Sequence, residues 1–311
     1  MKKRMMIMFV FYTIFLITNL YSQINCAKCG KRINNESYYE IQGKNYCEKC
    51  YKKYFATYCS LCGKEIKGRY IFDFWQNKYH EFHKEDHDFC EYCARMICDK
   101  VTKGGRTYQD GTHICNLCYK SSVQRESKAN ILMKEVLNEL IWLGIKIDPE
   151  NIELQLVDNA QLSQKAIDMK INSHHKGLTK YTAFENQKGD ISLENFTIYI
   201  VIGMPELKFI EVIAHELMHV WQYQNSPLDN DLAFSEGSCN YAAYLVLKKY
   251  KNKHYYKSNK EKSKMIDFLI MNLETNTDKI YGDGFRRVKE LVEKHRKKYW
   301  LDHLKNFRNF P

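Results

Sequence analysis

This 311-residue chain lacks an apolar run of the ~20 residues that a membrane-spanning helix needs; its N-terminal stretch MMIMFVFYTIFLITNL has 16. It also lacks any base-reading motif to accompany its formal charge of +11. Between Lys248 and Arg308 there are 18 Lys and Arg against 8 Asp and Glu. These charges fall in helical-looking stretches such as RRVKELVEKHRKKYW, where they read as a solvated helix face. Nucleic acid is therefore not an expected partner. Proline is scarce, at four residues, and two of them, Pro205 and Pro227, act as punctuation. What is present in quantity is apolar and aromatic: 44% hydrophobic, with 23 Tyr and 16 Phe. That composition belongs to a globular protein with a sizeable core and room for two domains.

The first residues read as an export signal. MKKR gives a positive start, the apolar run follows, and Ser22 offers a cleavage point before Gln23. A signal peptide over residues 1–22 is expected. The mature chain would then be secreted or held in the cell envelope or periplasm, with no stable membrane span. Leu20 departs from the small residue preferred at that place, so an N-terminally membrane-anchored chain remains the alternative.

Eleven of the twelve cysteines lie between residues 26 and 118. CAKCGKRI at 26, CSLCGKEI at 59 and CEYCARMI at 90 repeat one pattern, and each is followed by a second pair of ligand-type residues. Two thiolates two residues apart grip one Zn²⁺ in a knuckle. The small residue after the second lets the chain turn back, and a following hairpin closes the tetrahedron. Three structural zinc sites are predicted: Cys26, Cys29, Cys47, Cys50; Cys59, Cys62, His80, His83; and Cys90, Cys93, Cys115, Cys118. The last two resemble the paired sites of a LIM domain. Six residues separate His83 from Cys90, where that domain usually has two, so His87 or Asp88 stays open in place of His83. An exported protein with this many cysteines would ordinarily be disulfide-bonded. Histidines at the pairing positions argue for metal, since they form no disulfide. Cys98 and Cys239 are left for packing.

Polar KSSVQRESK at 120–128 marks a boundary. The expected domains are a zinc-ribbon or LIM-like module over 23–122 and a second domain over 123–311. The second reads as α+β, a small sheet followed by packed helices. ANILMKEVLNELIWLGI places Ile131, Leu132, Val136, Leu137, Leu140 and Ile141 at helical spacing toward a core. IELQLV, GLTKYTAF and FTIYIVIG read as strands, the last with an outer edge free to pair an extended substrate. A helix follows from Pro205 to about Gln224, stopped by Ser226-Pro227. From Leu232 the chain reads as helical, broken near TNTDKIYGDG. YGDGF is either a turn capping a helix or a segment that reaches the substrate cleft, and its glycines favour the turn.

In HELMH, His215 and His219 stand one turn apart on one helix face, the spacing at which two imidazoles reach one zinc. Glu216 stands beside them, placed for a water rather than the metal. Glu236 follows 17 residues after His219, on the next helix, as the third ligand. Asn240 shares its face and suits a hydrogen bond to a ligand histidine. The fourth position stays open for water, which zinc acidifies from ~15.7 to ~7. Glu216 is then the general base of a peptide hydrolysis. His174, His175, Tyr241 and Tyr281 are candidates to help hold the oxyanion.

The segments FTIYIVIGMPELKFIEVIAHELMHVW, EGSCNYAAYLVL and YGDGFR together resemble the LIM-containing zinc peptidases that restrict plant organ growth, and their bacterial relatives. The resemblance covers most of residues 59–290. It implies a gluzincin-type metallopeptidase domain behind a LIM-like module, with His215, Glu216, His219 and Glu236 in the family's positions. It implies one catalytic and three structural zinc ions, a protein or peptide substrate, and a protein partner for the LIM-like module. Plant members are ubiquitin-activated endopeptidases. No acidic ubiquitin-interacting helix stands before Cys26, and the first knuckle is additional to the plant pattern, so the activator is not carried over. A LIM-like adaptor with an inactive peptidase-like scaffold is the competing expectation; intact Glu216 speaks against it.

Overall fold

The computed structural model describes residues 24–34, 38–170, 176–185, 191–227 and 230–311. The expected signal peptide, and His174 and His175, lie outside the described residues. The chain divides into two compact units, Met1–Cys59 with Gly63–Arg69, and Ser60–Cys62 with Tyr70–Pro311.

The first unit holds a hairpin, β1 (Tyr39–Ile41) and β2 (Lys44–Tyr46), followed by helix α1 (Glu48–Tyr54). Its knuckle turns through Gly30, at φ +71°, whose N–H donates to the Cys26 carbonyl. Glycine enters that left-handed region freely, which is why the repeat needs a small residue there. In the third knuckle Ala94 takes the place, at φ 54°, with the same bond to Cys90.

The second unit begins with hairpin β3 (Tyr70–Phe72) and β4 (Lys78–His80), then the turn α2 (His83–Asp86). Next come α3 (Asp99–Thr102), the hairpin β5 (Gly105–Thr107) and β6 (His113–Cys115), and α4 (Asn116–Tyr119). Helix α5 (Glu126–Trp142) follows. It buries Ala129, Leu132, Met133, Val136, Leu137 and Leu140, a true 3–4 alternation. Ile131 and Ile141, expected in the core, are 59% and 39% exposed because they fall outside that stripe.

Strand β7 (Ile152–Val157), helix α6 (Asn159–Asp168), β8 (Gly177–Glu185) and β9 (Ile191–Val201) build a mixed sheet in the order β7-β9-β8. β9 pairs parallel with β7 and antiparallel with β8. The free outer edge expected for FTIYIVIG is therefore absent. Its unbroken apolar run is the mark of a central strand with neighbours on both sides. The sheet's edges are those of β7 and β8.

Helix α7 (Glu206–Asn225) starts behind Pro205 and stops at Ser226, as the sequence predicts. Asp231 caps α8 (Leu232–Asn252) by accepting from the Phe234 N–H at 2.9 Å. Short α9 (His254–Ser258), α10 (Lys260–Thr275) and α11 (Tyr281–Asn306) complete the unit. YGDGF is thus the opening of a helix, not a turn before one. Asp278 caps it, accepting from the N–H groups of Ile280 and Tyr281 at 2.8 Å. Its glycines serve close approach: a Cβ on Gly237 of α8 would lie 2.2 Å from the Gly284 carbonyl carbon of α11. One continuous core runs from Trp75 and the third cysteine set through α5, the sheet and α7 to Trp300 and Leu304.

Candidate metal centres and cleft

The sulfurs of Cys26, Cys29, Cys47 and Cys50 lie within 4.8 Å of one another, as do those of Cys90, Cys93, Cys115 and Cys118. None is in a disulfide. A tetrahedron with metal–sulfur bonds of ~2.3 Å has edges of about 3.8 Å. Cys29 and Cys47 are 3.9 Å apart and Cys93 and Cys115 are 3.8 Å apart. Backbone N–H groups support the third set: Cys115 N–H donates to Cys90 Sγ and Cys118 N–H to Cys115 Sγ. Hydrogen bonds from neighbouring thiols pull the Cys90 thiol far down and push Cys118 far up. At Cys26 burial opposes ionisation, yet backbone hydrogen bonds hold the thiol down at about 6, while burial and crowding push Cys50 up to about 12. Each set thus makes one thiolate penalise the next, a conflict that a cation among them removes.

Cys62, His80 and His83 also converge within 4.8 Å, with Cys62 Sγ 3.5 Å from His80 Nδ1. His83 Nε2 is buried and has no hydrogen-bond partner. Of the residues left open, His83 is the one that converges with Cys62 and His80, while Asp88 lies 3.4 Å from His113 and His87 stacks on His83. Cys59, expected as the fourth ligand, is buried and belongs to the first unit. Cys98 is half-buried at the start of α3 and outside these sets.

On α7, His215 and His219 turn their Nε2 atoms to within 3.2 Å of each other. Glu236 of α8 brings Oε2 to 3.1 Å from the first and 3.5 Å from the second. A tetrahedron with bonds of ~2.0–2.1 Å has edges of about 3.3 Å, so these three donors form one face of such a site. Glu236 Oε2 is buried and has no conventional hydrogen-bond partner. Burial raises the Glu236 carboxyl, but the two imidazoles outweigh it and hold the group well below the usual carboxylate range. An ionised buried carboxylate between two imidazoles suits a divalent cation.

Cys239 also lies within 4.8 Å of the histidine nitrogens. Its Sγ sits 3.4 Å from His219 Nδ1, the far side of that ring, and burial keeps the thiol up at about 11. It therefore meets the outer nitrogen of one ring, and Glu236 completes the tighter set at the Nε2 atoms.

The outer nitrogens of both rings are fixed. His215 Nδ1 is 3.0 Å from Asn240 Oδ1, and Asn240 Nδ2 donates to the Tyr281 carbonyl, as its place on α8 predicts. His219 Nδ1 is 3.1 Å from Gln222 Oε1, which also accepts from Ser235 Oγ. Each ring therefore points its Nε2 at the shared position. Burial lowers His219, but Cys239 and Glu236 beside it outweigh that and hold it well above its ordinary value.

Glu216 is 4% exposed, and Thr179 Oγ1 of β8 donates to its Oε2 at 2.8 Å. Gly177 lets β8 pass close, since a Cβ there would meet Glu216 Oε1 at 2.7 Å. Gly177, Leu178 and Thr179 line a cleft of about 260 Å³ with both histidines, Glu216, Tyr223 and Glu236. A second hollow of about 480 Å³ shares Gly177, His215 and Glu216 and reaches Asn240 and Tyr281. Tyr241 is instead packed against Trp300 and Phe285, away from both. Thr179, Gly177, Gln222 and Tyr223 were not legible as site residues. Gln222 and Tyr223 alone carried a signal, standing three and four residues beyond His219.

The family model DA1-like, described as Protein DA1, matches residues 246–307. Protein DA1-related 7 of Arabidopsis thaliana is 24% identical over 319 residues, covering 86% of this chain and 56% of the relative. The chain is similar to the DA1-like proteins along most of its length. Protein DA1-related 1 of the same plant is 24% identical over 341 residues, with 92% of this chain and 61% of the relative covered. LIM domain-containing protein HDR3 of Oryza sativa subsp. japonica is 21% identical over 346 residues, 92% of this chain and 68% of the relative. The chain spans less than two thirds of those two DA1-related proteins. The likeness joins the cysteine–histidine sets to a LIM-like module in a mixed fold of helices and small sheets. Among the described residues no helix is long and apolar enough to cross a membrane.

Proposed function

We propose that this protein is a zinc-dependent endopeptidase with a LIM-like module for a protein partner or substrate. The observation that carries the reading is the triangle of His215, His219 and Glu236, with edges of 3.1–3.5 Å, beside a buried Glu216. Zinc there would supply an acidified water and charge opposite the developing oxyanion. Glu216 takes the proton from the attacking water and delivers it to the leaving amine as the C–N bond breaks. Thr179 holds that carboxylate on one oxygen. The edge of β8 that β9 does not occupy borders the cleft, which supports an extended peptide added as a further strand. The three cysteine-containing sets would hold structural zinc. The proposed organisation is a zinc-binding module over 23–122 and a peptidase domain over 123–311. The N-terminal apolar stretch supports export to the envelope or beyond, with retention as an anchor as the competing fate; N-terminal sequencing of the mature protein decides between them.

The test compares wild-type protein with Glu216→Gln on fluorescent casein, with zinc measured by mass spectrometry. Hydrolysis in the wild type, its loss in the variant and unchanged zinc are expected. An adaptor with a merely scaffolding peptidase half would give two indistinguishable proteins.

A further inference from the structure

Thr179, Tyr223 and Ser235 place hydroxyl groups on the wall of the cleft beside the metal set. Two of the three are engaged. Thr179 Oγ1 donates to Glu216 at 2.8 Å, and Ser235 Oγ donates to Gln222 at 2.8 Å. Tyr223 differs: among the described residues its hydroxyl has no hydrogen-bond partner, although the residue is half-buried.

Its ring is held in place. It stacks on Tyr181 of β8, centroids 5.1 Å apart and planes 12° from parallel, and leans on Phe196 of β9 at 6.4 Å. Tyr181 is itself committed, donating to Glu194 at 2.6 Å. Long side chains on a helix lean back over the preceding turn, and the turn before Tyr223 carries His219. A rigid ring that ends in an unspent donor loses little freedom on meeting a substrate.

Resting on the hydrolytic reading above, we infer that Tyr223 is a catalytic residue whose O–H donates to the substrate carbonyl oxygen as negative charge develops there. The phenol keeps its proton throughout; only a hydrogen bond strengthens as the carbonyl is attacked. A donor fixed before the reaction needs no reorganisation when the charge appears.

Tyr223→Phe keeps the ring and its stack and deletes the donor. In the zinc-loaded full chain kcat on fluorescent casein should fall ~10²–10³-fold, with KM, zinc content and melting temperature unchanged. Binding gives a readout independent of turnover. A phosphinic Phe–Ala isostere, whose charged oxygen imitates the attacked carbonyl, should bind the variant ~10²-fold more weakly. A mercaptoacyl analogue, which offers sulfur and no such oxygen, should bind both proteins equally. Equal phosphinate affinity in the two proteins, or a loss that the thiol shares, overturns the assignment and leaves the Glu216→Gln comparison standing. Zinc-dependent binding of neither compound to the wild type removes the hydrolytic reading, and this inference with it.

Discussion

The crossing of α8 and α11 sets where Glu236 can stand, and Gly237→Ala tests that coupling. The added Cβ would lie 2.2 Å from the Gly284 carbonyl carbon and 2.5 Å from its oxygen. Carbon atoms in contact need ~3.5–4.0 Å, so the two backbones must part by more than ~1 Å. Overpacking of this kind costs ~1–3 kcal/mol. The approach is close from both sides, since a Cβ on Gly284 would meet the Ala233 carbonyl oxygen of α8 at 2.2 Å. For a unit of this size each kcal/mol lowers the melting temperature by ~2–4 °C, which gives a drop of roughly 2–12 °C. The second consequence is chemical. Glu236 is the residue before Gly237, and metal ligands tolerate displacements of only ~0.2 Å. Thermal melts followed by circular dichroism, with zinc counted on the same samples, should show a lower midpoint and weaker retention of one ion. A variant that melts with the wild type and keeps all its zinc would refute the close crossing and its link to the metal set.

Glu236→Gln keeps the side-chain shape but removes the charge between two imidazoles, so the chain should lose one zinc while its cysteine-bound ions stay; mass spectrometry after dialysis against a weak chelator checks this, and undiminished zinc would sink the ligand set. Thr179→Val deletes the 2.8 Å donor to Glu216 in a buried place. A hydrogen bond to a charged group contributes ~1.5–3 kcal/mol, so hydrolysis should slow by ~10–100-fold at constant zinc content; an unchanged rate would show that Glu216 needs no such support.

What could be read from the sequence was what local spacing encodes. Two thiolates two residues apart, or two imidazoles four apart, fix their relation through backbone geometry alone, and the structure brings these residues together accordingly. Helix α7 was legible because Pro205 and Ser226-Pro227 bracket it. Strand order was not, because alternation tells which face a side chain takes and nothing of which strand lies alongside. FTIYIVIG consequently lost its free edge to β7 and β8. The glycines of YGDGF were misjudged for a related reason: they answer to Gly237 and Ala233 on another helix, and a pair of glycines looks alike in a turn or at a crossing.

The same division separates the chemistry from its aim. His215, Glu216 and His219 come from one pentapeptide, but the direction of each is set from outside it. Asn240 fixes one ring from 25 residues away, and Thr179 fixes the carboxylate from 37. Gln222 holds the other ring only in concert with Ser235. A chain carrying HELMH without these partners would keep the donors and lose their convergence. A substitution at Thr179 is therefore a sharper probe of the proposed reaction than substitutions within the pentapeptide, because it leaves the metal donors and Glu216 present and changes only how that carboxylate is held.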